Sequence, residues 1–156
     1  MMFTQVQRPS VPVKHRGCES NLPEDRTAIN LATWNERTQN DKTDSKIDNL
    51  INEAKRLKIG ILGISETHWT NDTPEAFEFK DHVIVHSGRD DNIHRQVVAI
   101  VIQKQLASYM QGYNLINPRL MMIQNTGSYP LFIFQTYAPD LSYQNEDKDQ
   151  FYDIRD

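Results

Sequence analysis

The stretch "SKIDNLINEAKRLKIGILGIS", residues 45–65, constrains the fold more than any other part of the chain. Ile47, Leu50, Ile51, Ala54 and Leu57 recur at i, i+3, i+4, i+7 and i+10, which puts them on one face of a helix. Lys55, Arg56 and Lys58 crowd its last turn, where cations suit the negative end of the helix dipole. The apolar run that follows reads as a buried strand. Upstream, "TAINLATWNERT" sets Ile29, Leu31 and Thr33 against Ala28, Asn30 and Ala32, a strand that ends at Trp34-Asn35. Strand, helix and strand in this space make a βαβ-sized unit, and the expected class is a layered α/β domain.

Further along, "DHVIVHSG", "QVVAIVIQ" and "RLMMIQNTGSYPLFIFQTYAP" supply more strands, the last two joined by a turn between Asn125 and Pro130. "NEDKDQFYDIRD" reads as a helix start. The expected strands lie near 28–34, 59–65, 82–87, 96–103, 119–125 and 131–137, and the expected helices near 43–57 and 144–155. A length of 156 residues suits one domain, placed at 28–156. Residues 1–27, with Pro9 and Pro12 and no continuous apolar segment, are expected to form a disordered tail.

Composition excludes several classes. No apolar run approaches the ~20 residues of a membrane helix. Cys18 is the only cysteine, which rules out an internal disulfide and a cysteine-based zinc site. A net charge of -4 rules out gripping nucleic acid by bulk electrostatics, so any such contact belongs to a local site. The compartment is not readable from these features.

The second strand of the unit ends in Ser65-Glu66-Thr67-His68-Trp69. A plain surface turn would favour Gly, Pro, Asn and Asp there. Read singly, Glu66 is a loop acid, Asn35 a strand-end turn residue, and Tyr137 a half-buried aromatic with a wet hydroxyl. His82 and His86 are expected at the surface, since two histidines without a third ligand make a poor zinc site. His68 and His94 read as solvated loop residues.

Three strand ends nevertheless line up: Trp34-Asn35, Ser65 to Trp69, and Thr136-Tyr137-Ala138-Pro139. With "LATWNERT", "LKIGILGISETHW", "VIVHSG", "HRQVVAIVI", "PRLMMIQ", "FQTYAPD" and "DQFYDI" in this order, the chain resembles the endonuclease/exonuclease/phosphatase superfamily. More narrowly, it resembles the apurinic-type endonuclease domains of non-LTR retrotransposons, over roughly residues 28–155. The resemblance implies a four-layered α/β sandwich, two facing β-sheets with outer helices, and metal-dependent cleavage of phosphodiester bonds in DNA. It implies that Glu66 binds magnesium, that Asn35 orients a catalytic aspartate, and that Tyr137 stands near the scissile phosphate. Arg119 matches an arginine whose role is structural. A nuclear location is implied in the same way.

The departures are as informative. No Gly-Asp-Phe-Asn segment and no Ser-Asp-His segment occurs in the 156 residues, although the family's site needs both. Val97 stands where relatives usually carry glycine, and a branched residue there is expected to crowd a neighbouring strand. The expectation is therefore an incomplete sandwich with its C-terminal half absent, apolar sheet faces left open to self-association, weak or no magnesium binding, and no activity. Two alternatives stand beside it: a non-catalytic remnant or partner-binding protein, and a phosphatase-like protein acting on a small phosphate ester.

Overall fold

The computed structural model describes residues 2–7, 28–35, 44–67, 75–88, 97–125 and 130–155. In chain order its elements are β1 (Met2–Gln7), β2 (Ala28–Asn35), α1 (Asp44–Arg56), β3 (Ile61–Ser65), β4 (Ala76–Phe79), β5 (His82–His86) and β6 (Val98–Gln103). Then follow α2 (Lys104–Ala107), β7 (Met110–Asn117), β8 (Leu120–Asn125), β9 (Leu131–Thr136) and α3 (Asn145–Arg155).

The βαβ unit forms as its periodicity implies. β2 and β3 pair in parallel, with α1 as the crossover between them. All five residues of the amphipathic stripe pack into one cluster on the helix side of the sheet, where Leu50, Ile51 and Ala54 are buried. The helix ends in a Schellman turn. Lys58 takes φ 54, its N–H reaches the Lys55 carbonyl at 3.0 Å, and the Ile59 N–H reaches the Ala54 carbonyl at 2.9 Å.

The larger sheet runs β1-β2-β3-β6-β5-β4 and the smaller runs β7-β8-β9. Side chains on the central strands divide strictly by parity, as a period of two requires. Leu62, Ile64, Ile84, Ala99 and Val101 face α1. Ile61, Val85, Val98, Ile100 and Ile102 face the other way and meet Met121, Ile123 and Ile133 of the smaller sheet. The result is an α/β sandwich: a helix layer, a six-stranded sheet and a three-stranded sheet. Ser87 pins the two sheets at one end, its Oγ donating to the Pro118 carbonyl at 2.7 Å while the Val98 N–H reaches the same carbonyl at 3.1 Å.

Four expectations change. Within the stretch read as a disordered tail, Met2–Gln7 form β1, antiparallel to β2, and residues 8–27 lie outside the described residues. His82 and His86 are not at the surface but fully buried on the α1 side, flanking Ile84 on the inward face of β5. There His82 Nδ1 lies 3.0 Å from Asp81, and His86 Nδ1 accepts the Gly88 N–H at 3.2 Å. Val97 fits without exposure and its carbonyl accepts the Thr67 N–H at 3.2 Å. Lastly, the facing surfaces of the sheets meet each other, and the open apolar surface is the outer side of β9, where Phe132 and Phe134 are 48% and 58% exposed.

That outer surface generates a prediction. Phe132 and Phe134 stand beside Gln124 and Met122 of β8 on an edge strand with no charged residue to deter pairing. Replacing both by Thr is expected to keep the chain monomeric at concentrations where the unchanged protein associates, as read by light scattering. The melting temperature should barely move, because surface substitutions of this kind alter stability by about 0.5 kcal/mol or less. A monodisperse unchanged protein across the same range would show that the surface is innocuous.

Candidate functional site

Three strands deliver their C-terminal ends to one edge of the sandwich. Asn35 is the last residue of β2 and pairs in register with Ser65, the last residue of β3. Glu66 follows at once. Tyr137 follows β9 in the opposite sheet, and its hydroxyl donates a hydrogen bond to Glu66 Oε1 across the gap. The two partners are 71 residues apart in sequence. The structure thus joins Glu66 to Tyr137 and places Asn35, exposed, at the neighbouring strand end.

The backbone at Glu66 is unusual. It takes φ 62, one of three left-handed non-glycine residues among those described, with Lys58 and Lys80. Lys58 is explained by its helix cap. Lys80 is explained by the two-residue hairpin between β4 and β5, closed by the Phe79–His82 pair. Glu66 caps no helix and turns no hairpin, yet the left-handed conformer costs roughly 1–2 kcal/mol for a residue with a Cβ. Strain of this kind collects at functional positions. The hydrogen bond from Tyr137 to a carboxylate contributes about 1.5–3 kcal/mol in return.

Tyr137 is itself held in place. Its N–H donates to the Arg119 carbonyl at 2.9 Å, and Arg119 Nη1 donates to the Tyr137 carbonyl at 3.3 Å. The Arg119 guanidinium lies 5.5 Å from the Tyr137 ring and 4.6 Å from the Tyr143 ring, a cation–π stack. Arg119 therefore braces the tyrosine from behind. Burial, and then the adjacent Glu66 carboxylate, push the Tyr137 phenol up to about 12, so at neutral pH it is a proton donor.

Three further residues escaped the sequence reading. Gln135 is buried between the sheets and its Nε2 donates to Ser65 Oγ at 3.0 Å. Gly63, two residues before Ser65 on the same face, leaves the space that the Gln135 amide occupies. Tyr143 closes the stack on Arg119. The available signal was Gln135 itself, a polar residue in the inward slot of a strand whose other inward residues are Leu131 and Ile133. His68 and His94 lie outside the described residues.

Magnesium asks for hard oxygen donors, often one or two carboxylates, with water and phosphate completing the shell. Glu66 fits by donor type. Among the described residues no group of three His, Cys, Asp or Glu side chains comes together to add to it. The arrangement offers one carboxylate, one neutral phenol and one amide at a shared edge.

An α/β sandwich with a carboxylate–phenol pair at its strand ends is what the fold and site define. Over most of its length the chain is homologous to a segment of Craniofacial development protein 2. It is 31% identical to that protein of Bos taurus over 138 residues, which is 88% of this chain and 22% of the relative. The Tragulus javanicus protein of the same name is also 31% identical, over 124 residues, 79% of this chain and 21% of the relative. The chain thus spans about a fifth of the length of the curated relatives it matches. Sequences of the craniofacial development protein 2 kind are also those to which the motif resemblance points. No protein-family profile matches the chain.

Two outcomes test this geometry. Because the folded phenol titrates near 12 and an unfolded one near 10, the folded state binds more protons between these values. Stability contributed at Tyr137 is therefore intact below pH 10 and lost as pH rises towards 12, and a tyrosinate absorbance difference between the protein and Tyr137→Phe should be absent at pH 10. The second outcome concerns strain. In a Tyr137→Phe background, where the cross-sheet bond no longer counts, Glu66→Gly should raise the unfolding free energy by roughly 0.5–1 kcal/mol in urea titrations, as relief of left-handed backbone requires. A loss of stability would show that Glu66 is not strained.

Proposed function

We propose that the strand-end site is the metal-side half of a phosphodiester-hydrolase centre of the endonuclease/exonuclease/phosphatase type, of the DNA-cutting kind found in non-LTR retrotransposons. One observation carries the reading: Asn35, Glu66 and Tyr137 converge from three strand ends, and Glu66 keeps a left-handed backbone while bonded to a phenol of the opposite sheet. Ligands of layered α/β folds bind outside strand termini, on short segments that a rigid sheet positions. The homology to Craniofacial development protein 2 specifies no reaction.

In this reading Glu66 is the metal ligand, and the ion, when bound, offsets negative charge on the phosphoryl oxygens. Tyr137 fixes the carboxylate and remains a neutral donor able to turn towards a phosphate oxygen. Asn35 presents an amide that orients either a side chain or a phosphate. Magnesium binding is weak, because a single carboxylate replaces few of the waters that Mg²⁺ gives up reluctantly. DNA is the proposed substrate partner, reached through this local site and not through the chain's net charge of -4.

The aspartate that activates water in such sites, and the aspartate–histidine pair that steadies the developing charge, have no counterpart among these three residues. General base assistance is worth ~10²–10⁴-fold and an electrostatic donor ~10²–10³-fold, so this chain alone is expected to cleave at the background rate. A second reading, a binding module without catalysis, is favoured by the open Phe132 and Phe134 surface.

The experiment is nicking of supercoiled plasmid and of an abasic duplex in magnesium, beside p-nitrophenyl phosphate hydrolysis, with Glu66→Gln and Tyr137→Phe as controls. Calorimetric titration of magnesium runs in parallel. The proposal expects no nicking, no ester hydrolysis, and only weak heats that Glu66→Gln reduces further. Nicking that both substitutions abolish would show a complete centre in this chain. Binding heats unchanged by Glu66→Gln would remove Glu66 from the metal site.

A further inference from the structure

We propose that Gln135 is a positioning residue for the Tyr137–Glu66 pair, acting through its buried hydrogen bond to Ser65. The meaning of the pair rests on the phosphodiesterase reading above, but the positioning itself is a matter of geometry.

The argument begins with parity. Gln135 and Tyr137 are two apart along β9 and its extension, so both project towards the larger sheet. Ser65 immediately precedes Glu66 at the end of β3. The bonds Gln135–Ser65 and Tyr137–Glu66 are therefore successive rungs across the same gap between sheets. The first rung is wholly buried and the second lies at the rim, with Glu66 and Tyr137 half-buried.

The side chains packed around it in that layer are apolar, Ile61, Ile100, Met121, Ile123 and Ile133, while the Ser87–Pro118 link ties the end of β5 to the turn before β8 and leaves β9 and β3 to this bond. Apolar contacts tolerate sliding of one sheet over the other, because they have no direction. A hydrogen bond does not, since it weakens steeply with distance and angle. The Gln135–Ser65 bond thus fixes the register between β9 and β3 one step inside the rung that carries the chemistry. β3 is shaped to receive it. Gly63 faces the same side as Ile61 and Ser65, and a Cβ added there would overlap the Gln135 amide oxygen. The amide fills that space and so cannot be displaced sideways without losing its partner.

The measurement is NMR at fixed neutral pH of protein carrying ¹³C-labelled tyrosine, following the Tyr137 Cζ resonance, assigned by Tyr137→Phe. In the unchanged protein the phenol is bonded to Glu66, and Glu66→Ala marks the resonance without that bond. Gln135→Leu removes the bond while filling the site with an apolar side chain of similar size, and Ser65→Ala removes it from the other side. Each is expected to move the resonance towards its Glu66→Ala position, and the double variant should move it no further than either alone. Ile123→Ala, which loosens the same layer away from the rung, is expected to leave the resonance in place.

An unchanged Tyr137 resonance in folded Gln135→Leu overturns the proposal. So does an equal shift in Ile123→Ala, which would make the effect one of general packing. Should Gln135→Leu fail to fold, Ser65→Ala carries the same test. No DNA or metal enters this measurement. Failure of the phosphodiesterase reading would leave a positive result standing, and a negative result here would leave the nicking experiment unaffected.

Discussion

A strand that lends one face to a helix and the other to a second sheet has no side left on which polar residues can meet water. β3 and β6 are in that position. Every residue of β3, and the first five of β6, is buried, and β3 hydrogen-bonds to β2 on one edge and β6 on the other. Backbone donors and acceptors at such a site must all be paired, and the parallel and antiparallel ladders do this. The consequence for function follows directly. Polar side chains of these strands are forced to their ends, and the first position free of the double burial after β3 is Glu66. A carboxylate at that point is therefore carried by the most deeply buried strands among the described residues.

This constraint also explains what was readable in the sequence. The stripe on α1 and the apolar runs of β3, β5 and β6 announce themselves because burial on a helix face or on both faces of a strand leaves an unambiguous pattern. Where burial is partial, the pattern fades. β7 breaks its alternation at two register shifts, between Met110 and Gly112 and between Leu115 and Asn117, so a period of two never runs long enough to be recognised. β4 has four residues and α2 has four, too few for any period to show. β1 is an edge strand beside prolines that suggest a tail. The histidines of β5 were misread for a different reason: their type suggests exposure, while their parity with Ile84 places them under α1, where Phe77 meets the His86 ring edge-on at 6.3 Å.

The site was legible as residues and not as contacts. Asn35, Glu66 and Tyr137 stand out at strand ends, but nothing in their spacing says that Tyr137 reaches Glu66 and not a phosphate alone. That contact depends on how the second sheet sits on the first, which is decided by Met121, Ile123, Ile133 and the Ser87–Pro118 link. Arg119, expected to be structural, holds its guanidinium against the rings of Tyr137 and Tyr143, and the pairing with Tyr143 is one that no local motif encodes.

The energetics of Glu66 bear on whether stability alone accounts for its pairing with Tyr137. The left-handed backbone costs roughly 1–2 kcal/mol and the charge-assisted bond from Tyr137 offsets about 1.5–3 kcal/mol. The two nearly cancel. The sandwich core, by contrast, is built from Ile51, Leu62, Ile64, Ile84, Ile100, Ile102 and Met121, each fully buried, and truncating any one of them would cost several times that difference, about 2–5 kcal/mol for Ile or Met to Ala. The fold is therefore energetically indifferent to its strand-end pair. Stability alone neither requires a left-handed glutamate opposite the braced tyrosine nor disfavours one.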